Sequence, residues 1–192
     1  MLAGISHDLK TPLTRINLMI EEINNKTLKD SISKNISEMN IMLNHYLDFI
    51  KNEKNENLDE INTLKFIYNI IVNYPKVQLL KNEENIIHMR KNQITRAIIN
   101  ILDNADKFAN NIYLNSSLDK DKWLIQIDDD GPGTNLSTEE LVKPFVKGSE
   151  QLNQGTGLGL SIVQKLIKLN SGELMFEKSS CGGLKVLVLL QI

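Results

Sequence analysis

The apolar positions of this chain fall into two regimes. Ile5, Leu9, Leu13, Ile16, Ile20 and Ile23 recur at intervals of four, four, three, four and three. That is a narrow seam along a helix, of the kind that packs in coiled coils and bundles. Asn24-Asn25-Lys26-Thr27 breaks it and reads as a turn, after which a second seam runs through Ile32, Ile36, Met39, Leu43, Leu47 and Ile50. Two helices of this length make an antiparallel pair with too little core to stand alone. A second copy would complete a four-helix bundle, so the pattern predicts a homodimer. Residues 51–59, KNEKNENLD, hold almost nothing to bury and mark a boundary. The division read from the sequence is 1–52 for the helical domain, 53–59 for a linker and 60–192 for a second domain.

Beyond the linker the pattern mixes periods. It predicts a helix around 61–73, short strands at 77–80 and 85–89, and a long amphipathic helix over 91–108. The buried side of that helix is Ile94, Ala97, Ile98, Ile101, Leu102 and Ala105. Strands follow near 111–117 and 122–128, then a loop-rich stretch over 130–154. A helix starts near 157 and ends before Gly172, with Ile162, Val163, Leu166 and Ile167 on its core face. Strands 173–178 and 184–191 close the chain, joined across Ser180-Cys181-Gly182-Gly183, a hairpin signal. The fold class read from this order is α plus α/β: a helical hairpin forming a dimeric four-helix bundle, then an α/β sandwich with helices on one face of a mixed sheet.

Composition narrows the function. The 192 residues are 41% hydrophobic, enough for a packed core, and the net charge of −2 supplies no basic face for nucleic acid. One cysteine, Cys181, leaves no internal disulfide and fits a reducing compartment; it reads as a loop residue. No apolar run approaches the ~20 residues that span a bilayer. The opening MLAGISHDLK is too short and polar for a signal peptide. Met1, Leu2 and Ile5 enter a helical pattern without a capping residue, as expected of a fragment cut inside a helix.

Four segments carry candidate chemistry. In Ser6-His7-Asp8-Leu9-Lys10-Thr11-Pro12, His7 lies off the apolar seam, with Thr11 one turn away on the same face. Asp8 can accept from Nδ1–H and hold the tautomer whose Nε2 lone pair is free, a competent nucleophile. Pro12 removes a backbone donor and predicts a kink near His7. A histidine-aspartate pair alone would fit a solvated bundle surface equally well. In the second segment Asn100, Asn104 and Lys107 share one helix face. Amide oxygens suit Mg²⁺ and a lysine suits phosphate, although an ordinary polar helix face has the same composition. In the third, Asp128-Asp129-Asp130-Gly131-Pro132-Gly133 follows an apolar strand. A carboxylate there can accept from an amino group such as that of adenine. A three-aspartate metal cluster is disfavoured because neighbouring strand residues point to opposite faces, and a plain turn also fits. In the fourth, Gly155-Thr156-Gly157-Leu158-Gly159 opens a helix and exposes backbone N–H groups to an anion. It is neither a Walker pattern nor a dinucleotide fingerprint.

Taken in this order and at these separations, the four segments resemble the dimerisation/phosphotransfer and ATP-binding domains of two-component sensor histidine kinases. His7 to Arg15 is similar to that family's H box, Asn100 to Phe108 to its N box, and Asp129-x-Gly131-x-Gly133 to its first glycine box. Pro144-Phe145 with Lys147-Gly148 resembles the F box, and Gly155 to Gly159 the second glycine box. The resemblance covers essentially the whole chain and extends to osmosensor kinases of the EnvZ type, whose Pro-Phe-Val-basic-Gly string is similar to the one here. It implies an ATP-binding sandwich of the kind shared with Hsp90, gyrase and MutL. It also implies roles: His7 as phosphoacceptor, Asp8 as its base or orienter, and Thr11 as the residue that positions water in a reverse, phosphatase reaction. Asn104 would bind Mg²⁺ with Asn100 in support. Lys107 would contact phosphate, Phe108 would lie near adenine and Asp129 would accept from the adenine amino group. Gly131 and Gly133 belong to that same loop. Lys147, Gly155, Thr156, Gly157, Leu158 and Gly159 would lie at the triphosphate, under a lid spanning roughly 134–154. Leu141, where the family often has an aromatic residue, and Thr134, where an aliphatic residue is common, depart from the pattern without removing a reacting group.

The implied activity is ATP-dependent phosphorylation of His7, then transfer to an aspartate on a response-regulator receiver domain. That receiver would dock near His7, Lys10, Thr14 and Arg15. Two rivals are a clamp ATPase, which needs no histidine-aspartate pair on a bundle, and a non-enzymatic dimeric scaffold, which predicts erosion of a nucleotide segment. Upstream transmembrane segments would hold the intact protein in a bacterial inner membrane with this portion in the cytoplasm.

Overall fold

The computed structural model describes residues 12–16, 18–21, 25–50, 56–146 and 157–192, with the backbone alone at 38, 41, 42 and 44–50. His7, Asp8, Thr11, Lys147, Gly155 and Thr156 lie outside the described residues. The chain divides into two compact units, Met1–Asn52 and Glu53–Ile192.

In the first unit residues 12–16 and 18–20 are helical, and helix α1 runs Lys26–Ile50. Asn25 starts α1, its Oδ1 accepting from the Leu28 N–H at 3.1 Å, which satisfies one of the donors a helix start leaves open. Leu13, Ile20 and Ile36 are buried together, with Ile32 and Leu43 packed on them. Ile16 and Met39 belong to the same sequence seams, yet they are 42% and 52% exposed. One hairpin therefore covers only part of its own apolar stripe.

The second unit begins with strand β1 (Asp59–Asn62), helix α2 (Thr63–Ile71) and strands β2 (Val77–Asn82) and β3 (Ile86–Met89). Helix α3 (Lys91–Phe108), strands β4 (Ile112–Asp119) and β5 (Lys122–Asp129), and a one-turn helix α4 (Thr138–Leu141) follow. Helix α5 (Gly159–Leu169) and strands β6 (Glu173–Lys178) and β7 (Leu184–Gln191) complete it. Five strands form a mixed sheet in the order β2-β4-β5-β7-β6, parallel only between β2 and β4. β1 and β3 pair separately, Ile61 opposite Ile87.

Alternation along the strands buries one sheet face. Ile112, Leu114, Trp123, Ile125, Ile127, Val186, Val188 and Leu190 are all nearly inaccessible, and so are Ile67, Ile94, Ile98, Leu102, Val163 and Ile167 of the helices. Each such side chain contributes about 1.5–3 kcal/mol of transfer free energy. Phe66 of α2 meets Trp123 edge-on, ring centroids 5.8 Å apart. The buried indole N–H of Trp123 donates to Ser116 Oγ at 2.9 Å, so the core polar group is paired.

α3 has the predicted bounds and is fastened at both ends. Its own cap residue Arg90 provides no side-chain cap. Instead the Glu56 carboxylate accepts from the N–H groups of Asn92 (2.7 Å) and Gln93 (3.2 Å). Arg90 donates to the Glu56 carbonyl and to the Leu169 carbonyl at the end of α5, each at 3.2 Å. At the other end Lys76 Nζ donates to the carbonyls of Asp106 (2.6 Å) and Ala109 (3.1 Å), placing a cation where the helix dipole favours one. Two elements differ from the sequence reading. β1 falls in a stretch read as linker and helix start, and α4 interrupts the stretch read as loop. The second has a local cause, a capping box between Ser137 and Glu140.

Candidate functional site

The polar face of α3 turns toward the start of α5. Asn100 and Asn104 are half-buried and Lys107 is exposed. The Asn100 amide is fixed by donating from Nδ2 to the Arg96 carbonyl at 2.9 Å. Its Oδ1 lies 3.7 Å from where a side chain on Gly159 would begin. The second and fourth candidate segments are thus neighbours. α5 opens at Gly159 behind Leu158, which as the N-cap residue supplies no side-chain cap. The Ser161 hydroxyl donates to the Leu158 carbonyl at 2.7 Å. A helix start of this kind presents backbone N–H groups and the positive end of the dipole to a negative ligand.

Gly157 lies against the backbone of Phe145 and Val146. Its φ is +69°, and an added Cβ would meet the Phe145 carbonyl carbon at 2.7 Å and the Val146 oxygen at 2.8 Å. The Phe145 N–H donates to the Gly157 carbonyl at 2.9 Å. Only glycine tolerates both that backbone angle and that approach. Phe145 itself has φ +67° with its ring 58% exposed, a strained conformation held by this contact.

Asp129 ends β5 on the helix-facing side and is 8% exposed. Its Oδ1 accepts from the N–H groups of Gly131 (2.9 Å) and Leu184 (3.1 Å). Gly183 N donates to the Asp129 carbonyl at 3.2 Å. A Cβ on Gly183 would come within 2.5 Å of that carbonyl oxygen and 2.6 Å of Gly131 N, and would overlap Oδ1. Burial raises the carboxyl above the ordinary range, opposed by the donors from Leu184 and Gly131. Both donors end on Oδ1, so among the described residues Oδ2 is the acceptor left over. A carboxylate with one oxygen anchored and the other spare can receive an exocyclic amino group. Phe108 ends α3 beside it, its carbonyl oxygen 3.1 Å from the Cβ position of Gly131. Gly133, at φ +65°, stands against the carbonyls of Gly182 and Gly183.

The three consecutive aspartates have three separate surroundings. Asp128 faces the other side of the sheet, where Gln126 donates to Oδ2 and Lys185 Nζ lies 4.0 Å from Oδ1. Asp130 turns back to Asn110 and Asn111. The three carboxylates do not converge. Among the described residues no group of three or more His, Cys, Asp or Glu can hold a metal ion. Among the described residues Asn100 and Asn104, on the face of α3 that turns toward α5, carry amide oxygens that can act as hard ligands. These fit an ion such as Mg²⁺, which takes few protein ligands and completes its shell with phosphate oxygens and water.

A cleft of about 400 Å³ adjoins the first glycine loop, between Thr134, Leu136 and Leu141 on one side and Phe176 and Leu184 on the other. The two positions that depart from the family pattern, Thr134 and Leu141, both line it. Sequence reasoning missed Gly183, Leu184, Asn110 and Asn111. The Gly182-Gly183 doublet was a usable signal, but it reads as a turn until the approach of Asp129 is seen.

Residues 89–192 match the family described as histidine kinase-, DNA gyrase B- and HSP90-like ATPase. Residues 1–55 match the His Kinase A (phospho-acceptor) domain. The sensor histidine kinase GtrS of Pseudomonas aeruginosa is 27% identical over 191 residues, covering 97% of this chain and 40% of that protein. The sensor histidine kinase CpxA of Escherichia coli is 26% identical over 212 residues, covering 100% of this chain and 46% of that protein. The chain thus spans less than half the length of these relatives. Among solved structures, full-length ShkA in complex with AMPPNP superposes with a TM-score of 0.73 at 17% identity, over 98% of this chain and 45% of that one. The histidine kinase domain of the E. coli osmosensor EnvZ does so with 0.54 at 27% identity, over 71% and 89%.

Proposed function

Because the chain belongs to the histidine kinase-, DNA gyrase B- and HSP90-like ATPase family, we propose that it is the catalytic core of a two-component sensor histidine kinase. It phosphorylates its own His7 with ATP and passes the phosphoryl group to an aspartate on a response-regulator receiver domain. The observation that carries this reading is the coexistence in one chain of a phospho-acceptor domain match over 1–55 and an ATPase match over 89–192. A clamp ATPase has no use for the first, and a scaffold has no use for the second.

The residues divide the work. Asp129 Oδ2 accepts from the adenine amino group while backbone N–H groups hold Oδ1, and Phe108 flanks the base. Lys107 and the N–H groups at the start of α5 meet the phosphates, as do Lys147, Gly155 and Thr156. Asn104, supported by Asn100, holds Mg²⁺, which when bound neutralises charge on the phosphate oxygens. His7 Nε2 forms a bond to the γ-phosphorus as the bond to the bridging oxygen breaks and ADP leaves. Asp8 orients the ring and receives its proton. The chain's contribution is positioning and charge stabilisation. Thr11 orients water when the reaction runs as a phosphatase of the regulator.

The exposed seam residues Ile16 and Met39 support a homodimer, in which a second hairpin covers them. Among the described residues no helix is long and apolar enough to cross a membrane. The intact protein carries its membrane anchor upstream and holds this portion in the bacterial cytoplasm. The test is incubation with γ-³²P-ATP and Mg²⁺, wild type beside His7→Gln. Acid-labile, alkali-stable label on the wild type alone is the expected result. ATP hydrolysis that survives in the variant, with no label on either protein, would replace this reading with a clamp ATPase.

A further inference from the structure

Asp130 stands between the two adenine-side segments and touches neither reacting group. Its Oδ1 accepts from the backbone N–H of Asn110 at 2.7 Å and of Asn111 at 2.9 Å. Its Oδ2 accepts from Asn111 Nδ2 at 2.8 Å. Its own N–H donates to the Asn111 carbonyl at 3.3 Å. Four hydrogen bonds therefore join the turn leaving α3 to the loop leaving β5. Phe108 lies two residues before that turn, and Asp129 immediately precedes Asp130. The fit is already close, since the Phe108 carbonyl oxygen is 3.1 Å from the Cβ position of Gly131. Lys76 fixes the same turn from the other side through the Asp106 and Ala109 carbonyls.

We propose that Asp130 is a positioning residue for nucleotide binding: it clasps the exit of α3 to the first glycine loop and so fixes Phe108 and the adenine acceptor Asp129 at one spacing. The inference rests on the nucleotide-binding reading above. It adds a residue to which neither the sequence motifs nor the resemblance gives a role. The clasp works through acceptance of hydrogen bonds. Two of its donors are backbone N–H groups whose direction is set by the chain. The third, the Asn111 amide, can turn over and accept instead. Asparagine at 130 can keep all three contacts, its Oδ1 taking the two backbone donors and its Nδ2 facing the reversed Asn111. Alanine keeps none of them.

The test compares Asp130→Ala, Asp130→Asn and Asn111→Ala in the full 192-residue chain. AMPPNP affinity is measured by calorimetry, KM for ATP and kcat by autophosphorylation, and the melting temperature alongside. Groups that orient a ligand-binding residue typically change affinity by about 10–100-fold. Asp130→Ala should therefore raise Kd and KM by about tenfold while kcat at saturating ATP stays within about twofold. Asp130→Asn should restore Kd to near wild type, and Asn111→Ala, which removes one contact, should fall between. A lower melting temperature with unchanged Kd in Asp130→Ala would make the residue merely structural and overturn the proposal. An Asp130→Asn variant as weak as alanine would overturn it by showing that charge is what matters. If Asp130→Ala does not fold, the asparagine variant and Asn111→Ala still decide the matter. Wild-type protein that binds no AMPPNP would instead bring down the nucleotide-binding reading itself.

Discussion

Replacing Gly183 with alanine tests the geometry around Asp129 most severely. The new methyl group would lie 2.5 Å from the Asp129 carbonyl oxygen and 2.6 Å from Gly131 N, and would overlap Asp129 Oδ1. Ordinary contacts begin near 3.4 Å, so strand β7 or the first glycine loop must move by close to an ångström. Two hydrogen bonds stand in the way of that movement, Gly183 N to the Asp129 carbonyl and Leu184 N to Oδ1. A neutral bond contributes about 1 kcal/mol and one to a charged group about 2. The expected loss is about 3 kcal/mol, in the range of overpacked cores. For a domain of this size that lowers the melting temperature by about 10 °C. Asp129 also loses the donors that aim its free oxygen, so nucleotide affinity should fall by about 100-fold, equivalent to about 2.7 kcal/mol. Gly182→Ala is the control. Its φ of +109° makes alanine strained, but nothing lies within 4 Å of the added Cβ. That variant should lose stability and keep nucleotide affinity once folded. Calorimetry with AMPPNP and thermal melts on both variants give the comparison. A Gly183→Ala protein that melts within about 2 °C of wild type and binds as tightly would refute the reasoning.

Three further expectations follow from single contacts. Ser116→Ala leaves the buried Trp123 indole N–H without its acceptor and should cost about 1–3 kcal/mol by denaturant unfolding. Trp123→Phe combined with it should cost less than the two changes summed. Gly157→Ala should part the Phe145 backbone from the second glycine segment and weaken nucleotide binding more than it lowers the melting temperature. Asp130 is held below the ordinary carboxylate value of 3.8, first by the Asn111 backbone N–H and then by its side chain. The unfolded chain thus binds the proton more readily. The stability that its charge adds is complete above that value and is lost as pH falls below it. The melting-temperature gap between wild type and Asp130→Ala should be level from about pH 8 to 5 and narrow as pH drops below about 4.

Much of the second unit was legible because its elements are set by local periodicity. α3 carries Ile94, Ala97, Ile98, Ile101, Leu102 and Ala105 at helical spacing, all are buried, and the helix has the expected bounds. The β6–β7 hairpin was legible from its apolar alternation and its Gly-Gly turn. β1 was not, because Asp59–Asn62 has one apolar residue and owes its extended form to pairing with β3. α4 had a readable signature in Ser137 and Glu140 that goes unnoticed without attention to caps. The four candidate segments were legible as strings. What the strings did not carry was how they lock together. The donor to Asp129 comes from Leu184, 55 residues away, and the cap of α3 from Glu56, 36 residues from Asn92. Such contacts leave no periodic trace. The first unit was legible as two seams, but among the described residues Leu13, Ile20 and Ile36 are buried from them while Ile16 and Met39 are exposed, since a seam does not say how much of itself a single hairpin can cover.

The cap that Glu56 places on α3 bears on how the ATP-binding half can be prepared by itself. The charged string through residue 59 invites a cut near 60, because nothing in it looks worth keeping. A polypeptide begun there would lack the carboxylate that satisfies Asn92 and Gln93 and the carbonyl that Arg90 grips. It would also lack Asp59, the first residue of β1. Its longest helix would start uncapped, at a cost of about 0.5–2 kcal/mol, in the element that bears Asn100, Asn104 and Lys107. The useful place to divide the chain is therefore upstream of Glu56, even though the residues there look dispensable by composition.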